Sequence, residues 1–132
     1  FHRPVGEPQP PGVTMAAKAG SCRDFTVLFM AACQAVGLAA RFVSGYQEGD
    51  LEQESRELHA WPEVYIPGGG WRGFDPTHGL AVSDRHMPLA AAAYPPDAAP
   101  VSGQLKPGYL VQSQLEYQIQ IRRLETPDLN LR

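Results

Sequence analysis

No stretch of this chain approaches the ~20 consecutive apolar residues that a bilayer-spanning helix needs, so neither a membrane helix nor a membrane partner is expected. Cysteine is scarce: Cys22 and Cys33 are the only two. A small disulfide scaffold carries more. If both lie on one helix, their 11-residue spacing covers roughly 16 Å along its axis, beyond disulfide reach. Two free thiols are expected, which points to a reducing, cytoplasmic compartment. An excess of positive charge is also missing: 11 Lys and Arg stand against 14 Asp and Glu, for a net −3. That balance excludes nucleic acid as the main partner. There is no internal repeat and no apolar leader; Phe1-His2-Arg3-Pro4 runs straight into a proline-rich stretch. With no initiator methionine, the expectation is a processed chain or the catalytic fragment of a longer protein.

What is present suits one globular domain. The 132 residues are 43% hydrophobic and 19% charged, enough to bury a core without staples. Residues 1–13 hold Pro4, Pro8, Pro10, Pro11 and Gly12 and read as an extended lead-in. Thr14 suits a helix cap. From Ser21, the apolar positions Phe25, Leu28, Phe29, Ala32, Ala35 and Val36 recur at helical spacing up to a stop at Gly37. Strands are predicted over 41–46, 59–66 and 71–75, the last two joined by a turn at Pro67-Gly68-Gly69-Gly70. Pro62 should confine its strand to an edge or a bulge. The acidic segment 47–58 reads as a solvated loop bordering any cleft beside His59. Residues 90–108 read as irregular coil. Residues 109–122 alternate Tyr109, Val111, Leu115, Tyr117, Ile119 and Ile121 with polar neighbours, as in an antiparallel strand with one wet face. One helix on a meander of strands makes an α+β domain.

Three residues can carry chemistry. Cys22 falls in the first turn of the helix, where unpaired N–H groups and the helix dipole favour a thiolate. Gly20 before it would leave room for a substrate backbone. A buried structural cysteine fits the same position. His59 opens a strand, either as the base a thiol requires or as a strand-edge histidine. Asp75 ends the next strand. If the Pro67–Gly70 turn makes a hairpin, His59 and Asp75 meet at the same end of adjacent strands. Asp75 can then orient the imidazole, or simply form a turn before Pro76. Trp61 and Tyr46 suit a cleft wall, as does His86, although tryptophans on strands also serve as core. Arg23 and Asp24 follow Cys22; Asp24 suits the helix N-terminus and needs no catalytic role.

Four blocks decide between these readings: Gly20-Ser21-Cys22-Arg23-Asp24-Phe25, Ala39 through Tyr46, His59 through Tyr65, and Gly70-Trp71-Arg72-Gly73-Phe74-Asp75-Pro76-Thr77. Together, over residues 14–87, they resemble the bacterial transglutaminase-like superfamily. The resemblance implies a papain-like α+β core in a single domain over 1–132, with the cysteine helix packed on an antiparallel sheet. It also implies a catalytic triad of Cys22, His59 and Asp75. The reaction expected is acyl transfer through a thioester on amide bonds of a peptide or protein side chain, with hydrolysis slightly favoured over cross-linking. The backbone N–H of Cys22 would serve as one oxyanion donor.

One departure stands out. Relatives carry a Gly-Arg-Asp-Tyr-like segment after the stretch that is here Asp84-Arg85-His86, whereas this chain continues into Ala90-Ala91-Ala92-Ala93-Tyr94-Pro95. That change supports the alternative of an inactive binding or structural module. No cofactor is implied. A zinc site from Cys22, Cys33 and two histidines lacks the paired C-x₂₋₄-C spacing, and the acidic loop lacks a calcium pattern.

Overall fold

The structure, a computed structural model, describes residues 6–48, 58–103, 108 and 118–121. Helix α1 spans Pro11–Ala17 and α2 spans Cys22–Ala35. Strands follow as β1 (Ala40–Gln47), β2 (Leu58–Ile66), β3 (Gly70–Asp75), β4 (Leu80–Ala81) and β5 (His86–Ala92), then a 3₁₀ turn at Pro95–Ala98. All ladders are antiparallel, in the order β4-β3-β2-β1-β5. This is the expected α+β architecture, with the cysteine helix ahead of the sheet and packed on it. Among the described residues, no helix is long and apolar enough to cross a membrane.

Strand alternation sorts the sheet into two faces. Phe42, Ala60 and Val64 point to α2 and join Met30, Ala40 and Ala98 in the core, with Val27, Phe29 and Phe74 against them. Phe29 and Phe74 stack at 5.6 Å. On the other face, Val43 and Trp61 are also fully buried. Gly37, at a φ of 81°, ends α2 in a backbone region that glycine adopts without penalty.

Several expectations change. The lead-in is helical from Pro11, because a proline in the first turn gives up an N–H that has no helical partner anyway. Thr14 is no cap; it is buried inside α1. Pro62 sits in an interior strand, not at an edge. It does so because the β2–β3 ladder stops at Glu63↔Gly73, one residue short of the missing N–H. The coil expected over 90–108 begins late, since Ala90–Ala92 complete β5. Alanine has little strand preference; here docking decides. The acidic segment begins later as well: Gln47 ends β1, and Glu48 is buried with its N–H on the Arg85 carbonyl at 2.9 Å. Residues 49–57, and 109–117 and 122 of the last predicted strand, lie outside the described residues.

Gly45 lets β5 dock. The β1–β5 register shifts between Ser44 and Gly45. A Cβ at Gly45 would meet the Met87 carbonyl oxygen, with Trp61 Cη2 at 2.7 Å and Pro88 Cα at 2.9 Å. Ser44 Oγ also donates to the Ala98 carbonyl. Gly45→Ala is therefore expected to cost about 1–3 kcal/mol by overpacking, measured by urea unfolding. Gly12→Ala in α1, where a Cβ meets nothing within 4 Å, should be neutral or gain up to about 1 kcal/mol. Equal stability of the two variants would remove the docking role of Gly45.

Candidate active site

Cys22 is the first residue of α2, and the start of that helix is fixed from three sides. Ser21 is its N-cap, and Ser21 and Asp24 form a reciprocal capping box. The Ser21 backbone N–H and Oγ donate to Asp24 Oδ2 at 2.7 and 2.8 Å. Gln9 N–H donates to Asp24 Oδ1 at 2.7 Å, tying in the chain ahead of α1. Thr26 Oγ1 holds the Cys22 carbonyl at 2.7 Å. Gly20 does not open the site to substrate, as its sequence position suggested. It is buried, and a Cβ there would lie 2.9 Å from Asp24 Cβ and 3.1 Å from Thr14 Cγ2. Its bareness lets α1 close on the capping box.

His59, the second residue of β2, reaches both partners. Its Nε2 lies 2.8 Å from Asp75 Oδ2, and its ring and charge also act on the Cys22 thiol. Cys22, His59 and Asp75 are thus brought together in a line with His59 in the middle. Burial by itself pushes the Cys22 thiol up. The hydrogen bond and charge of His59, the Ala60 backbone N–H and the charge of Arg23 outweigh it and hold the thiol below its ordinary value. Burial also works against charging His59, but the hydrogen bonds and charges of Asp75 and Cys22 raise it to about 9. The two shifts run in opposite directions, each toward the charged form of its group. Cys33, with no such partner, is pushed up by burial. Both cysteines are free, as expected.

Asp75 is the hub. Its Oδ2 meets three imidazoles: His59 Nε2 at 2.8 Å, His78 Nδ1 at 3.0 Å and His86 Nε2 at 3.1 Å. Its Oδ1 accepts the Thr77 and His78 backbone N–H groups at 3.0 and 3.2 Å. Burial disfavours the charge of this carboxylate, but its histidine partners hold it well below the usual carboxylate range. One oxygen of Asp75 thus closes the turn through Pro76 and the other faces His59.

Of the three residues expected to line the cleft, Trp61 and His86 lie beneath it. Trp61 is fully buried, 6.0 Å from the His59 ring and 5.2 Å edge-on to the His86 ring. Among the described residues, its Nε1 has no hydrogen-bond partner. It supports the histidines from below and offers no face to a substrate. The His86 side chain is 1% exposed, so it too sits beneath the site. Tyr46 is half-buried on β1 opposite Leu58 and Met87. His78 is 44% exposed yet bonded to Asp75. Its signal was the Asp-Pro-Thr-His spacing: the tight Asx-type turn that Asp75 makes with its own backbone returns the third residue to the carboxylate. Among the described residues, only His59, Asp75 and His78 form a group of three potential metal ligands within 4.8 Å of one another, and both histidines already hydrogen-bond Asp75.

A family model described as the transglutaminase-like superfamily matches residues 2–76, the span holding all three residues of the line. The chain is 32% identical over 99 residues to an uncharacterized protein of Mycobacterium tuberculosis, covering 67% of this chain and 32% of that protein. It is 32% identical over 74 residues to the uncharacterized protein YebA of Bacillus subtilis, covering 48% and 10% respectively. Over 71 residues it is 34% identical to a protein-glutamine gamma-glutamyltransferase of Pseudomonas aeruginosa, covering 48% and 11%. The matched region thus spans a third or less of each of these relatives. No solved structure matches the chain.

Proposed function

The chain belongs to the transglutaminase-like superfamily, and from that premise we propose that Cys22, His59 and Asp75 are a catalytic triad for thioester-forming acyl transfer from amide bonds of peptides or protein side chains. The observation that carries the reading is the His59 ring, held to Asp75 Oδ2 at 2.8 Å beside a Cys22 thiol whose ionisation it favours. Cys22 Sγ attacks the amide carbonyl. The oxyanion is met by the Cys22 backbone N–H, which as a first-turn donor has no helical acceptor. The C–N bond breaks as His59 passes its proton from Nδ1 to the leaving amine, and the acyl group stays on sulfur. Water or an amine then gives its proton to the now-neutral His59 and attacks the thioester, and the thiolate leaves. Asp75 keeps Nε2 protonated throughout, so Nδ1 is the atom that exchanges the proton.

The Pseudomonas relative's name adds glutamine side chains to the donors worth testing and amines to the acceptors. A glutaminyl peptide incubated with the protein should leave a mass increment on Cys22 that hydroxylamine removes, with release of ammonia. Addition of a primary amine distinguishes the two acceptors by its product. The rate should hold a plateau that ends on the alkaline side near pH 9, where the His59 imidazolium is lost. Neither acyl adduct nor turnover from any peptide or glutaminyl amide would instead favour the inactive binding module.

A further inference from the structure

The third imidazole on Asp75 has no place in the proton path. His86 opens β5, paired with Gln47 at the end of β1. Its side chain is 1% exposed, against 44% for His78 and 11% for His59. Each ring nitrogen is engaged: Nε2 lies 3.1 Å from Asp75 Oδ2, and Nδ1 accepts the Ser83 backbone N–H at 3.4 Å. The His86 backbone N–H returns to the Ser83 carbonyl at 3.0 Å, so the loop between them closes on itself. That pattern selects the tautomer with its proton on Nε2. The Trp61 indole lies edge-on to the ring at 77° and blocks its rotation. The neighbouring Arg85 turns to Glu48 instead, at 3.6 Å.

We infer that His86 is a positioning residue, a buried donor that fixes the Asp75 carboxylate so that Oδ2 stays on the His59 side through the whole reaction cycle. The inference rests on the proposed triad. His59 gains and loses charge in each half-reaction, so its pull on Asp75 varies. His78 is exposed and competes with water. His86 alone of the three is wholly buried and sits outside the proton path, so its N–H holds Oδ2 whichever state His59 is in. It acts on Cys22 only through Asp75 and His59. The departure of the sequence after Asp84-Arg85-His86 therefore begins beyond the residue that matters here, and β5 contributes to the site through its first residue.

The test is the pH profile of Cys22 alkylation by iodoacetamide in a Cys33→Ser background. His86→Leu should move the acid limb upward by about one pH unit toward an ordinary thiol. His86→Gln, whose amide can still donate to Oδ2, should recover most of that shift. With Asp75→Asn already present, His86→Leu should add nothing. A folded His86→Leu protein with the parent profile would overturn the inference, as would an equal shift in both Asp75 backgrounds. If His86→Leu does not fold, ¹⁵N ring spectra of the parent decide. The Nε2–H tautomer for the neutral His86 ring is expected, and the Nδ1–H tautomer refutes the assignment. A parent that alkylates like a free thiol counts against the triad rather than against His86. In that case the ring spectra, and whether His86→Leu alters the His59 ring titration only when Asp75 is present, still test the positioning role.

Discussion

Replacing His59 with alanine should return Cys22 to the behaviour of an ordinary thiol, and its alkylation at pH 6 should fall by about two orders of magnitude. At that pH a thiol titrating near 8.5 is ionised in well under ~1% of molecules, whereas the hydrogen bond and charge of His59 hold the parent thiol lower. Removing the ring takes away the side-chain hydrogen bond and the charge that outweigh burial at Cys22. Only the Ala60 N–H and the charge of Arg23 then remain on the lowering side, and burial still acts in the other direction. Acyl transfer should fall further, by ~10²–10⁴-fold, because the leaving amine loses its proton donor as well. His59→Gln, which keeps a donor without a charge, should fall between parent and alanine in alkylation and match alanine in turnover. Alkylation at pH 6 that is unchanged in a folded His59→Ala protein would mean that the helix N-terminus alone ionises Cys22.

The same residues show how far the sequence could be read. Cys22 and the start of α2 were legible because capping and periodicity are local: Ser21, Asp24 and the apolar stripe lie within one stretch of chain. The hairpin was legible for a related reason. Four consecutive turn residues, Pro67 to Gly70, set the register that brings His59 toward Asp75, whatever the rest of the molecule does. The α1 start at Pro11 was hidden because proline marks both helix starts and extended chain. β5 was hidden more deeply. Its Ala90-Ala91-Ala92 run has no strand signature, and it forms because Gly45, over 40 residues earlier in the chain, leaves the space for it. With β5 went the position of His86, so a residue that looked like part of a cleft wall turned out to be buried under Asp75. Trp61 was ambiguous from the start, since an aromatic beside a catalytic histidine can face a substrate or the core. Only the packing of His86 against its edge decides for the core.

Asp75→Ala is expected to be the most damaging single change, costing about 3–5 kcal/mol of stability together with nearly all acyl transfer. The carboxylate is 1% exposed and accepts from three imidazoles and two backbone N–H groups. Alanine leaves those donors facing a dry cavity, and the buried His86 cannot turn to water for relief. Asp75→Asn keeps the shape but points an amide N–H or a weaker oxygen at donors that need an anion. It should cost less stability and still lower turnover by ~10²–10⁴-fold, because His59 is no longer held as the Nε2–H form. The pH dependence follows from the direction of the shift. Asp75 titrates lower in the folded protein than the ~3.9 of an unfolded chain. Its contribution is therefore complete above that value and declines as pH falls, because the unfolded state takes up a proton that the folded state resists. The stability gap between the parent and Asp75→Asn, followed by urea unfolding, should accordingly be widest near neutrality and narrow below about pH 4. On the alkaline side the sulfur and the ring offset each other. Between the unfolded values of ~6.5 for histidine and ~8.5 for cysteine, a thiol lowered by its partners gives up protons that the unfolded chain keeps, while His59, raised to about 9, keeps protons that the unfolded chain loses. Parent stability should therefore change less with pH across that interval than the stability of a variant without the thiol. Cys22→Ser removes the compensation, and stability should then decline with rising pH from about 6.5. A flat profile in Cys22→Ser would mean that Asp75 alone does not hold His59 charged, and that the raised value of the ring depends on the sulfur.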